Sequence, residues 1–128
     1  MRTLANTRKF RLSDSFVEPY KDKNVPWGPV GYVTYKRTYS RRLSEFDPDA
    51  TGSEEWYQTC RRVVEGMFNT QKEHVVRLGL EWNDSKAQRT AKDAYDRLFH
   101  LKWTPPGRGL WMMGTKFVEE KTAAGLFN

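Results

Sequence analysis

A chain of 128 residues that is 38% hydrophobic, 30% charged and 14% aromatic holds material for one small domain and no more. One cysteine, Cys60, excludes a disulfide framework and a cysteine-based zinc site, and two scattered histidines, His74 and His100, argue against a histidine-rich metal centre. The net charge of +6 is uneven: residues 1–42 hold ten Lys/Arg against three Asp/Glu, and residues 43–128 hold twelve against thirteen. The excess in the first third suits an acidic partner surface, phosphates or nucleic acid, or is simply a solvated positive face. No apolar run approaches the ~18 residues of a membrane span, and no apolar signal segment opens the chain, so a cytoplasmic protein is expected. Five Trp argue for a real core or a large interface, while a mean hydropathy of -0.84 suggests that another surface completes part of it.

Met1 to Arg11 is basic and aperiodic and reads as a mobile or partner-ordered arm. Ser13 can cap a short helix over 14–17 that Pro19 ends, and the breakers around Trp27 predict a turn pinned by its indole. Over 31–43, Tyr32, Tyr35, Tyr39 and Leu43 recur at steps of three and four, the spacing of one helix face, although Val30, Tyr32 and Thr34 also fit a strand. Lys36, Arg37, Arg41 and Arg42 fill the remaining positions. Arginines interleaved with tyrosines can grip a nucleic-acid strand by charge and stacking, or the tyrosines can pack while the cations reach acidic neighbours. Packing is preferred, because no low-complexity or glycine-rich flank accompanies the block.

After an acidic linker at 44–52, Ser53 is the expected cap of a helix over 53–67 with Trp56, Cys60, Val63 or Val64, and Met67 inward. Cys60 reads as an apolar filler, since no His or Asp stands at helical spacing beside it. A break near Asn69 and Thr70 leads to a helix over 70–79 with Val75, Val76 and Leu78 inward. Asn83 or Asp84 caps another over 84–101 with Ala87, Ala91, Ala94 or Tyr95, Leu98 and Leu101 inward.

Residues 104–115, TPPGRGLWMMGT, have the grammar of a loop feeding a short buried strand at about 109–113. A lone strand cannot satisfy its own backbone groups, so its partners must come from elsewhere. The expected fold is mainly α: a basic arm and turn over 1–26, a helical domain over 27–103, and a loop with one strand over 104–128. Trp56, Cys60, Val64, Leu98, Leu101 and Trp111 are the expected core.

Three blocks, WGPVGYVTYKRTYSRRL (27–43), RRVVEGMFN (61–69) and TPPGRGLWMMGT (104–115), resemble in their order the amino-terminal part of the catalytic protein of adenosylcobalamin-dependent, class II, ribonucleotide reductases. The monomeric triphosphate-reducing type is the most similar, and the blocks are specific together where the basic or the glycine-rich block alone is weak. The resemblance implies a helical segment leading into the first strand of a ten-stranded α/β barrel, completed by other sequence or another chain. It implies conversion of ribonucleotides to deoxyribonucleotides by cobalamin-initiated radical chemistry, with adenosylcobalamin bound mainly outside this chain. It places substrate phosphates at the Thr104-Pro105 pair, the alternative being a turn that only ends the preceding helix; Arg108 either reaches phosphate or clamps the loop, and Asn128 is a further substrate contact. Pro106 stands where many relatives carry a smaller polar residue, which removes one donor. In relatives a redox-active cysteine follows the segment matching AAGLFN. The chain is therefore expected to be inactive alone and to need the remaining catalytic chain, through a split gene, an intein at Asn128 or a truncation. The competing reading is a small basic nucleic-acid-binding module built on Lys36, Arg37, Arg41, Arg42 and the tyrosines.

Overall fold

The structure, a computed structural model, describes residues 8–115. In chain order these form α1 (Asp14–Val17), continued by a 3-10 turn at Glu18–Asp22, then α2 (Pro29–Thr38) and a second 3-10 turn at Leu43–Glu45. The helices α3 (Trp56–Arg77), α4 (Asp84–Phe99) and α5 (Gly107–Met112) follow. The described residues contain no β-strand, only an isolated antiparallel bridge between Arg42 and Ser53. No helix among them is long and apolar enough to cross a membrane.

The core lies between α3 and α4. Trp56, Cys60, Val63, Val64 and Phe68 recur on one side of α3 and pack against Ala87, Ala91, Tyr95, Leu98 and Phe99 of α4. Two alanines on the α4 stripe let the helices approach closely, and the indole Nε1 of Trp56 donates to the Phe99 carbonyl at 3.0 Å, tying the start of one helix to the end of the other. Cys60 is fully buried and burial pushes its thiol well up, as befits a filler. The Asn83 side chain caps α4 as expected, accepting the Lys86 N–H at 3.1 Å.

The boundary of α3 differs from expectation at both ends. Its cap is Glu55 rather than Ser53, with Gln58 Oε1 accepting the Glu55 N–H at 2.8 Å in a capping box, because Ser53 is held in the bridge to Arg42 and Glu54 turns inward. The expected break at Asn69 and Thr70 is absent, and 22 residues run as one helix. Asn69 spends its amide on the Phe10 backbone instead of its own helix, and Thr70 bonds back to the Gly66 carbonyl at 3.0 Å, a back-bond the helix continues through. Gly79, at φ +78, ends the helix: its N–H reaches the Val76 carbonyl and that of Leu80 reaches Val75, a Schellman closure. Leu78 is consequently exposed, not inward.

The basic arm also departs from expectation from Arg8 onward. Phe10 and Leu12 are fully buried, and the extended backbone around them is held by side chains of the long helices. Asn69 accepts the Phe10 N–H at 2.6 Å and donates to the Phe10 carbonyl at 3.0 Å; Glu65 accepts the Leu12 N–H at 2.8 Å; Arg61 donates to the Leu12 carbonyl at 2.7 Å. The Lys72 ammonium, whose pKa burial lowers, donates to the Arg8 carbonyl. These bonds replace a strand ladder.

Of the two secondary structures open for the tyrosine block, α2 is the one formed. Tyr35 is buried, stacked on Trp27 at 5.3 Å, Tyr39 is half-buried, and Tyr32 is exposed. The helix ends at Thr38, before Leu43.

Behind α5 the chain returns to α3 through Gly114 at φ +79. A Cβ on Gly66 would lie 2.4 Å from the Gly114 nitrogen, so backbone meets backbone there. Alanine at 66 gains about 0.5–1 kcal/mol of helix preference, but the overlap costs about 1–3 kcal/mol. The Gly66→Ala protein should therefore show faster amide exchange at Thr115, with the α3–α4 core protected; unchanged exchange at Thr115 would contradict the contact.

Burial raises the phenols of Tyr20, Tyr35 and Tyr95 far above the ordinary value of 10.0. An acid whose folded pKa is raised contributes stability that is complete below its unfolded value and is lost as pH rises toward the folded one. Alkaline unfolding should therefore begin above about pH 10. In an ultraviolet titration these three of the six tyrosines should ionise only with unfolding; all six ionising together in a still-folded protein would contradict their burial.

Candidate functional site: the joint at residues 104–115

The joint begins where α4 stops. Leu101 takes a left-handed conformation (φ 60), and the Lys102 N–H closes onto the Arg97 carbonyl at 2.8 Å, a Schellman end carrying leucine where glycine is usual. Trp103 then anchors its indole on the Ala94 carbonyl at 3.1 Å. Thr104, next in the chain, is exposed; Pro105 is half-buried; Arg108 is exposed. Pro106, at φ -52, caps α5, and its carbonyl accepts the N–H groups of Gly109 and Leu110 at 2.8 and 3.1 Å. The structure thus brings Thr104, Pro105 and Arg108 into one short segment, while Asn128 lies outside the described residues.

The strand expected at 109–113 is instead the helix Gly107–Met112, with only Met113 extended. Its carbonyls find a donor within the chain, in Arg62 on α3. The Arg62 Nη2 donates to the Leu110 carbonyl at 2.8 Å, and Nη1 donates to those of Met113 at 2.7 Å and Trp111 at 3.3 Å. With its end groups satisfied, the segment needs no ladder, and Leu110 alone of the apolar run is buried. Trp111, expected in the core, is 47% exposed and carries the Arg41 guanidinium on its face at 4.4 Å.

Arg62 spends its remaining donors on Glu54. Nε reaches Oε2 at 2.9 Å and Nη2 reaches Oε1 at 3.0 Å, a two-point pair with side chains only 5% and 3% exposed. Glu54 Oε1 also accepts the Arg41 N–H at 3.0 Å and the Thr59 hydroxyl at 2.9 Å, and Tyr35 completes the chain with its hydroxyl 2.5 Å from Thr59. The Glu54 carbonyl receives the Lys36 ammonium at 2.8 Å and the Ser40 hydroxyl at 2.7 Å. Lys36 further pairs with Glu55 at 3.0 Å, and Arg41 pairs with Glu45 at 2.6 Å. Two cations of the basic block are thus spent on this network. Nothing in the spacing of Glu54 and Arg62 distinguishes them from an ordinary surface charge pair, and sequence reasoning missed both; the arginine's place beside the apolar stripe of α3 is the only signal.

A groove of about 710 Å³ runs along α3 beside this network, lined by Arg61, Glu65, Asn69, Tyr57 and the 9–11 segment. Within it Arg61 bonds Glu65 at 2.9 Å and Asp14 at 2.7 Å and holds the Asp14 carboxyl below the usual range. No cluster of His, Cys, Asp and Glu among the described residues could hold a metal ion.

Comparison with known proteins agrees across methods. The profile of the ribonucleotide reductase alpha domain matches residues 12–115. The chain is 42% identical over 122 residues to a probable adenosylcobalamin-dependent ribonucleoside-triphosphate reductase of Dictyostelium discoideum, covering 94% of this chain and 15% of that protein. It is 37% identical over 123 residues to the adenosylcobalamin-dependent ribonucleoside-triphosphate reductase of Lactobacillus leichmannii, covering 95% and 16%. Among solved structures, a B12-dependent (class II) ribonucleotide reductase superposes with a TM-score of 0.67 at 36% identity, over 84% of this chain and 14% of that one. The chain thus spans about one sixth of the length of the curated relatives it matches. Within that span, the match of nearly all described residues and the shared helical fold give one conclusion: the chain belongs to the ribonucleotide reductase family, in its alpha domain.

Proposed function

We propose that this chain is the amino-terminal helical part of an adenosylcobalamin-dependent ribonucleoside-triphosphate reductase, and that its joint at 104–115 helps hold the substrate's phosphates. The observation that carries this reading is the exposed Thr104 beside a half-buried Pro105, held between a helix end anchored by Trp103 and a short helix clamped by Arg62, in a chain of this family. In this reading the Thr104 hydroxyl donates to a phosphate oxygen. The Gly107 and Arg108 amides precede the first intrahelical donor, Gly109, and supply further N–H groups, and the exposed Arg108 guanidinium adds charge. Pro105 has no donor to offer; its ring sits against Gly109, close enough that a Cβ there would lie 3.3 Å away, and it stiffens the turn.

The barrel and the radical chemistry belong, in this proposal, to sequence other than residues 8–115. In this proposal cobalamin is held mainly outside this chain: the groove on α3 mixes apolar residues such as Phe10, Leu43 and Phe46 with the Arg61, Glu65 and Asp14 charges, where a corrin ring needs a broad apolar face. The chain's own contribution is to bind and orient nucleotide. A nucleic-acid role is not favoured, because Lys36 and Arg41 are engaged with Glu55, Glu45 and Trp111.

Thr104→Val keeps the side-chain shape and deletes the hydroxyl. Loss of one charge-assisted hydrogen bond costs about 1.5–3 kcal/mol, so in the complete reductase the KM for ribonucleotide should rise roughly 10- to 150-fold. Cobalamin affinity should stay unchanged. Parent-like KM would make Thr104 a helix-ending turn residue and end the assignment.

A further inference from the structure

The geometry points to Glu54 and Arg62 as positioning residues for nucleotide binding: they set the height and orientation of the 104–115 joint on α3 without touching substrate themselves. The inference rests on the reading of that joint as a phosphate-binding segment.

Arg62 has five N–H donors, and all five are used: two on the Glu54 carboxylate and three on the carbonyls of Leu110, Trp111 and Met113. A side chain serving only as a core ion pair would need no such aim. Those three carbonyls belong to the last turn of α5 and its cap, so the guanidinium plane fixes where the helix ends and hence where its first turn, at Gly107 and Arg108, is presented. Tyr39 packs beneath that first turn: a Cβ on Gly107 would meet its hydroxyl at 3.1 Å. Tyr39 belongs to the segment 35–41, which Glu54 also holds through the Arg41 N–H and through its own N–H, donated to the Arg41 carbonyl at 2.8 Å. Glu54 therefore fixes the arginine that holds the rear of α5 and the segment that supports its front. Lysine cannot substitute, because an ammonium cannot span a carboxylate and three carbonyls lying in different directions.

The test compares Arg62→Lys, Glu54→Gln and Thr104→Val in the complete reductase containing this chain. Arg62→Lys keeps the charge and loses the fork; Glu54→Gln keeps the shape and loses the charge, and carries the same reading if the lysine variant does not accumulate folded. Amide exchange at 110–115 should accelerate about tenfold or more for Arg62→Lys and about a hundredfold or more for Glu54→Gln, which leaves a buried charge unpaired, while exchange at 95–99 on α4 holds. KM for ribonucleoside triphosphate should rise about tenfold, the loss of one charge-assisted bond, with kcat changed much less. A merely structural role would lower the yield of folded enzyme and leave KM alone. If Thr104→Val raises KM but folded Arg62→Lys and Glu54→Gln bind nucleotide like the parent, the positioning role is refuted and the phosphate site stands. If Thr104→Val is itself silent, the reading beneath the inference fails, and the inference with it.

Discussion

A guanidinium buried to 5% exposure is a liability unless every donor has an acceptor, and Arg62 meets that condition by drawing two distant parts of the chain to itself. Its carboxylate partner comes from just before α3, and its carbonyl partners come from the end of α5, some fifty residues later. The pair is poor at producing stability for its own sake, since a carboxylate and a guanidinium both lose water to form it. What it does produce is direction. Apolar packing of Leu110 alone would leave α5 able to slide or roll over α3; three hydrogen bonds from one rigid plane do not. The backbone contact of Gly66 with Gly114 requires the same placement, because only glycines allow α5's trailing turn so close to the helix.

The amino-terminal segment is treated the same way. Residues 8–12 are extended, yet their N–H and carbonyl groups go to Asn69, Glu65, Arg61 and Lys72, with Gln88 donating to the Arg11 carbonyl at 2.5 Å. One face of α3 thus works as a row of polar clamps while its other face is core. Helices that satisfy irregular backbone with side chains can hold loops in fixed positions without a sheet.

This division also explains what the sequence shows and hides. The α4 stripe as far as Leu98 and its Asn83 cap were legible because local spacing determines them, and so was the burial of Trp56, Cys60 and Val64; Leu101, expected on that stripe and in the core, lies past the helix end at φ 60 and is only half-buried. The break at Asn69 was misread because its amide looks like a helix competitor until the Phe10 backbone is found beside it. The run LWMM is too short for periodicity to separate a buried strand from a helix, and the donor that decides, Arg62, lies 48 residues from Leu110 in the chain. The joint's location at 104–115 was legible from its prolines and glycines; the residues that hold it were not, since a buried charge pair is made by tertiary structure and leaves no local pattern.

The most direct measurement of this account is a double-mutant cycle on Glu54 and Arg62, read as the free energy of local opening at the 110–115 amides by native-state hydrogen exchange. With Glu54→Gln and Arg62→Met, each single change should cost about 3–5 kcal/mol, because each leaves a buried charge without its counterpart. The double variant should cost less than the sum by about 1–3 kcal/mol. Additive effects, or opening at 110–115 that neither variant alters, would show that the pair does not hold the joint.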